Sequence, residues 1–250
     1  MTVRIGDVEV GGGVPKVIVP ITPANGEELL RQVRPAVEAR PDLIEWRIDH
    51  LDDVSEESVT GLGATLRSEL DGIPVLVTFR TSDEGGEREI PADDYAALYG
   101  AVIAAGVADA VDVETARDAA AVARIVAAAH AAGVAVIGSF HDFGGTPPVE
   151  GIVGRLVGQA ELGVDICKVA VMPESAEDVL ALMSATAQAS ARLEQPLITM
   201  SMGGKGVVSR LAGEIVGSSA TFGMVGNPSA PGQVAVDELR RALALIHSSL

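Results

Sequence analysis

Short runs rich in β-branched residues recur along this chain, and the segments between them carry apolar residues at helical spacing. The runs fall at residues 16–19, 43–47, 75–79, 110–113, 135–140, 165–169, 197–201 and 221–225. Helical segments are predicted at 27–40, 56–70, 95–105, 116–132 and 176–193. Near-continuous apolar runs suit parallel strands covered on both faces by helices. Eight such alternations in 250 residues predict an α/β fold, a (β/α)8 TIM barrel, more readily than an open doubly wound sheet. The absence of a Gly-x-Gly-x-x-Gly after the first run weighs against a dinucleotide-binding fold. No linker or low-complexity tract divides the sequence, so a single barrel domain over residues 1–250 is expected. Ahead of the first run, Val3-Arg4-Ile5-Gly6-Asp7-Val8-Glu9-Val10 reads as a β-hairpin turning at Gly6-Asp7. It is expected to close the bottom of the barrel.

Composition narrows the function classes. Apolar residues make up 48% of the chain and aromatics only 3%, so the core material is mostly Ala, Val, Ile and Leu, as a buried parallel sheet requires. The single cysteine, Cys167, excludes an intrachain disulfide and fits a reducing, cytoplasmic setting. A net charge of −17 opposes nucleic-acid binding, which needs basic surface. The start, Met1-Thr2-Val3-Arg4, leads into charged residues and not into an apolar signal core. The most apolar stretch, 119–138, is interrupted by Arg124, His130 and Gly133 and reads as a helix followed by a strand, with no membrane partner expected.

Chemistry enters through the lysines. Lys16, Lys168 and Lys205 are the only three, and Lys168 interrupts the apolar run Val164-Asp165-Ile166-Cys167-Lys168-Val169-Ala170-Val171. Such a lysine reaches solvent at a strand end, finds a partner, or gives up its proton. In the last form it is a nucleophile for carbonyl carbon. Barrel active sites lie at the C-terminal strand ends, and other polar residues gather there. Side chains alternate along a strand, so Glu45 and Arg47 share a face while Ile44 and Trp46 pack outward. Arg80 follows Thr78-Phe79, Asp112 and Glu114 share a face, and Ser139-Phe140-His141-Asp142 closes another run. Met200-Ser201-Met202 leads into the Gly203-Gly204 turn. Any one pair reads as an ordinary buried ion pair, but five neighbouring strand ends together point to a site. His141 is the only strand-end histidine, and although Asp112, Glu114 and Asp142 could supply oxygens, no metal site is predicted. A lysine–histidine pair suits condensation of Lys168 with a ketone, with His141 removing a proton from the adjacent carbon. Arginines suit a substrate carboxylate.

The motifs Glu45-Trp46-Arg47-x-Asp49-His50, Thr78-Phe79-Arg80-x-x-x-Glu84-Gly85-Gly86, His141-Asp142-Phe143 and Lys168-Val169-Ala170-Val171-Met172-Pro173 occur in that order. Met200-Ser201-Met202-Gly203-x-x-Gly206-x-x-Ser209-Arg210-Leu211-Ala212-Gly213 and Ser229-Ala230-Pro231-Gly232-Gln233 follow. Together, from about residue 15 to 245, they resemble type I 3-dehydroquinate dehydratase. The resemblance implies a cofactor-free, homodimeric barrel lyase of the shikimate pathway, forming 3-dehydroshikimate by syn elimination through a lysine imine. It implies Lys168 as the Schiff-base lysine, His141 as the general acid/base and Glu84 as an acid assisting it. Glu45, Arg47 and Arg80 would hold the substrate's polar groups, and Arg210, Ser229 and Gln233 its carboxylate and a nearby hydroxyl. Met202 is counted with the substrate-binding residues. The stretch 226–232 reads as a mobile loop suited to a lid. Pro20 stands where relatives often carry serine, and Cys167 where proline is common; alternation turns Cys167 away from Lys168, into packing.

Two other classes share parts of this pattern. A class I aldolase would share the lysine but often binds a phosphate, whereas Ser209-Arg210 and Ser229…Gln233 suit a carboxylate. A catalytically silent barrel that senses quinate-like acids would be expected to lose the lysine or the histidine. Separately, acidic residues outnumber basic ones 35 to 18, which suggests a surface adapted to salt. Salt screens repulsion between surface carboxylates. The thermal midpoint is therefore expected to rise from dilute buffer to molar salt, and equal midpoints would remove that reading of the surface.

Overall fold

The computed structural model describes residues 1–226 and 228–250. Eight parallel strands form the barrel: β3 (Lys16–Ile21), β4 (Leu43–Arg47), β5 (Val75–Thr78), β6 (Ala110–Glu114), β7 (Ala135–Asp142), β8 (Ile166–Val171), β9 (Leu197–Ser201) and β10 (Ala220–Met224). Helices α1 (Gly26–Glu38), α2 (Glu56–Glu69), α3 (Ala92–Ala104), α4 (Ala119–Ala132), α5 (Val149–Glu161), α6 (Ala176–Ser190), α7 (Val207–Leu211) and α8 (Val236–His247) follow the strands in turn. A hairpin of β1 (Val3–Ile5) and β2 (Val8–Val10) precedes the barrel, and the two-residue strand β11 (Val234–Ala235) pairs beside β10. The hydrogen-bonded ladder runs unbroken from β10 through β3 to β9. The ring closes between β9 and β10 through one bridge, Leu197 to Ser218, where Ser219 N–H donates to the Leu197 carbonyl at 2.7 Å.

Strand alternation sorts the side chains into two cores. Outward residues such as Val17, Val19, Ile44, Trp46, Val75, Val77, Val111, Val113, Cys167 and Val169 pack under the helices. Inward residues at the N-terminal ends, among them Ile18, Leu43, Leu76, Ala110, Ile137, Ile166 and Ile198, fill the barrel floor. Further along the same inward rows stand Glu45, Thr78, Asp112, Ser139 and Lys168, all buried. Each row therefore changes from apolar to polar partway up the barrel.

Aspartates at the strand starts hold the floor in register. Asp42 accepts from Val17 N–H at 2.7 Å, Asp109 from Val75 N–H at 2.8 Å, and Asp165 from Val136 N–H at 2.7 Å. The predicted elements stand in the predicted order, with shifted boundaries. Helix α1 ends before Arg40, which adopts a left-handed φ of 49°. Helix α4 starts at Ala119 and not at 116, because the Asp118 carboxylate caps Ala121 N–H at 2.9 Å. Strand β5 stops at Thr78, and Arg80 N–H leaves the ladder to donate to Asp49 at 3.2 Å.

The hairpin turns at Gly6, with φ of 55°. Val3, Ile5 and Val10 bury against the barrel floor and close its N-terminal mouth. Because this plug lies at the end opposite the polar rows, Ile5→Ala should lower stability by about 2–5 kcal/mol. The check is denaturant unfolding beside steady-state kinetics, with turnover at 25 °C staying near wild type.

Candidate active site

Arg80 is the centre of the polar rows. It lies two residues past the end of β5, and its guanidinium reaches Asp112 at 2.8 Å, Ser139 Oγ at 2.9 Å, Glu114 at 3.1 Å and Glu84 at 3.5 Å. Its backbone is fixed as tightly: a Cβ at Gly86 would sit 1.9 Å from the Arg80 carbonyl oxygen, so only glycine fits there. Two buried tyrosines of α3 brace the neighbouring strand ends. The Tyr99 hydroxyl accepts from Phe79 N–H at 2.9 Å and donates to the Asp112 carbonyl, and the Tyr95 hydroxyl accepts from Glu114 N–H at 3.1 Å.

Lys168 on β8 points into this network. Its Nζ donates to Asp112 Oδ2 at 2.7 Å and lies 4.6 Å from the centroid of the Phe222 ring. The other oxygen of Asp112, Oδ1, accepts from Arg80 and from the Ser139 hydroxyl. Burial alone would raise the Asp112 carboxyl, but Arg80 and then Lys168 more than offset it and hold Asp112 well below the usual carboxylate range. The Arg80 guanidinium shows the same balance: burial works against its charge, and Asp112 and Glu114 hold it firmly ionised.

His141, two residues beyond Ser139 on β7, faces Glu84 from the loop after β5. Glu84 Oε2 lies 2.9 Å from His141 Nδ1 and accepts from His141 N–H at 3.0 Å. Burial pushes the Glu84 carboxyl up to about 8, against the pull of Arg80. Burial, then Arg80 and Lys168, push the His141 imidazole well below its usual range. Both groups are thereby held toward their uncharged forms.

The remaining predicted residues ring the same cavity. Lys168, His141, Glu84, Glu45, Arg47, Arg80, Met202, Arg210, Ser229 and Gln233 all line it, with Met200, Phe143 and Phe222 as apolar wall. The space between these side chains, counted together with its open mouth, is about 530 Å³. Glu45 accepts from Thr78 Oγ1 at 2.9 Å, and Arg47 forks onto Asp49 at 2.8 and 2.7 Å. Arg210 differs from the other arginines of the cavity. Among the described residues its contacts are the Met200 sulfur at 3.5 Å and the Pro231 carbonyl at 3.1 Å, and its Nε is buried without a partner. Burial lowers its pKa to about 10. Ser229 and Gln233 bond each other, with Gln233 Nε2 donating to Ser229 Oγ at 3.0 Å. The expected loop 226–232 includes Asn227, which lies outside the described residues. Its far end is anchored, since Gly203 N–H donates to the Pro231 carbonyl at 3.1 Å.

Sequence reasoning gave no role to several residues that build this site. Asp112 was visible as a strand-end acid and Ser139 as part of a strand, but their contact with Lys168 and Arg80 depends on lateral register. Ser139 stands beside Lys168 in the β7–β8 pairing. Tyr95 and Tyr99 carried no sequence signal beyond helical spacing. Cys167 packs in the outer core, as alternation requires, and burial pushes its thiol up to about 12. The carboxylates once available to a metal are engaged: Asp112 and Glu114 by Arg80, and Asp142 by Gly144 N–H at 2.9 Å.

Comparison with known proteins agrees with this geometry. The model of the family Type I 3-dehydroquinase matches residues 17–249. A 3-dehydroquinate dehydratase of Lactiplantibacillus plantarum is 47% identical over 242 residues, covering 96% of each chain. One of Clostridium kluyveri is 44% identical over 247 residues, covering 98% of this chain and 97% of that one. Among solved structures, a type I 3-dehydroquinate dehydratase of Clostridium difficile with covalently modified comenic acid superposes with a TM-score of 0.97 at 41% identity, covering 100% of this chain and 99% of that one. The chain belongs to the type I 3-dehydroquinase family, hydro-lyases acting on 3-dehydroquinate in the shikimate pathway.

Proposed function

We propose that this chain, acting as one catalytic domain, dehydrates 3-dehydroquinate to 3-dehydroshikimate by syn elimination through an imine at Lys168. One observation carries the reading: among the described residues a single amine and a single imidazole line one cavity whose remaining cations are guanidiniums. Among the described residues Arg210 keeps a buried N–H without an acceptor and has no carboxylate partner, so it is suited to receive the substrate's carboxylate. Ser229 and Gln233 lie beside it on the cavity wall and can exchange their mutual hydrogen bonds for ones to the bound acid.

In this mechanism the Lys168 nitrogen attacks the ketone carbon, and the carbonyl oxygen leaves as water. The iminium then draws electrons from the adjacent carbon, whose proton passes to His141. With the ring proton on Nδ1 donated to Glu84 Oε2, His141 presents a bare Nε2 as the base. The imidazolium so formed returns the proton to the leaving hydroxyl on the same face, a second water departs, and hydrolysis of the product iminium frees the lysine. Burial of His141 keeps it neutral at the start, the form that can accept a proton. The Clostridium difficile relative was solved with covalently modified comenic acid, and a nucleophilic lysine is a group that forms covalent adducts of that kind.

Borohydride added during turnover of 3-dehydroquinate should leave a reduced adduct on Lys168, read by intact-mass and peptide mass spectrometry. Lys168→Ala should abolish both adduct and turnover. His141→Ala should still form the adduct while turnover drops by about a hundredfold or more. Near-normal turnover in His141→Ala would refute the assignment of the base.

Glu84 gives a pH signature. Its folded carboxyl near 8 lies above the ordinary 4.5, so between those values the folded state holds a proton that the unfolded chain has lost. This group therefore lowers stability as pH rises from about 4.5 to 8. Glu84→Gln lacks that loss, so its thermal midpoint relative to wild type should climb through this window and level off above it. A constant difference across pH 5 to 9 would contradict the shift.

A further inference from the structure

The residue at the centre of the amine's surroundings is Asp112, which the motifs and the proposed steps leave without a role. It is fully buried, and its two oxygens face different groups. Oδ2 takes Lys168 Nζ, while Oδ1 is held by Arg80 and Ser139. Its carbonyl is held by Tyr99. The charged and titratable groups facing it are Arg80 from the loop after β5, His141 from β7 and Lys168 from β8, with Glu114 on its own strand and Glu84 beyond Arg80. Among the described residues no other carboxylate is bonded to the lysine.

Charge balance over the reaction says what such a group does. A ketone and an ammonium give an iminium and water: one C–N bond forms, the C–O bond breaks, two ammonium protons leave with the oxygen, and the third stays on nitrogen. The positive charge at Nζ is the same before and after. When His141 takes the carbon-bound proton, that charge passes to the imidazolium and returns when the hydroxyl leaves. A carboxylate that stays ionised and does not move serves every one of these states, whereas one that accepted the proton would serve none.

We propose that Asp112 is a further catalytic residue, the fixed counterion of the iminium at Lys168, with Arg80 and Ser139 clamping its second oxygen so that it neither swings nor takes the proton. This rests on the Schiff-base reading above. An iminium in a buried cavity without a partner would shed its proton to become a neutral imine, a poor electron sink. Asp112 keeps that proton in place through the pH range in which His141 works.

The test is trapping by sodium cyanoborohydride, which reduces iminium in preference to neutral imine. Wild type and Asp112→Asn are each mixed with the equilibrating substrate and product from pH 6 to 10, and the adduct on Lys168 is counted by intact mass. In Asp112→Asn the fall in trapping with rising pH should move down by about two pH units or more. Its kcat should drop at least about tenfold, with KM changed less. Superimposed trapping curves with an unchanged kcat would overturn the proposal while leaving the Schiff base intact. Should Asp112→Asn lack a cooperative melt, the wild-type curve decides against an imine of the same ketone with a simple alkylamine in buffer. A fall about two units or more above that reference supports the counterion, and coincident falls overturn it. No adduct in wild type at any pH would overturn the Schiff-base reading itself.

Discussion

The constraint on which the site depends is that charges cannot be buried singly. Arg80, Asp112, Glu114 and Lys168 lie inside the barrel at almost no exposure, and each is there because the others are. Removing one member of such a network leaves its partners desolvated and unpaired, at a cost of several kcal/mol. The arrangement is thus poor as a source of stability and good as a source of fixed geometry. It holds an amine and a guanidinium each within a hydrogen bond of one carboxylate before any substrate arrives.

The barrel makes this affordable by gradation along each strand. The same inward row supplies Leu76 to the floor and Thr78 to the site, or Ile137, then Ser139, then His141. Apolar packing below and helices outside fix the strands, so the polar residues above need not contribute to holding the fold. Arg88 extends this support into the loops, donating to the carbonyls of Asp49 and Leu51 while Asp49 grips Arg47. Every cation at the mouth is therefore aimed by a group that does not itself face the cavity centre, except Arg210, which has no carboxylate partner among the described residues.

Much of this was legible in the sequence because strand alternation is a local rule. It placed Glu45 with Arg47 and turned Cys167 away from Lys168, and it put the strand-end polar residues on one mouth. What it did not give is lateral register. Whether Asp112 or Glu114 meets Lys168 depends on how β6 sits against β7 and β7 against β8, information spread over three strands and the helices that brace them. The Tyr99 brace was hidden for the same reason: a tyrosine on a helix looks like core until its hydroxyl is seen between Phe79 and Asp112. Asp42 and Asp109 directly precede strand-like runs and Asp165 opens one, and only their neighbours' backbone N–H groups explain them.

The joint between β9 and β10 has one bridge, whereas every other adjacent pair in the ring has a ladder. Arg210 follows β9, and Ser229 and Gln233 follow β10, so three residues of the cavity wall straddle that joint. A molecule held from both banks would be a rung the backbone does not supply. A molecule that bound across that joint in the closed ring and not in an open one would tighten the hoop by mass action.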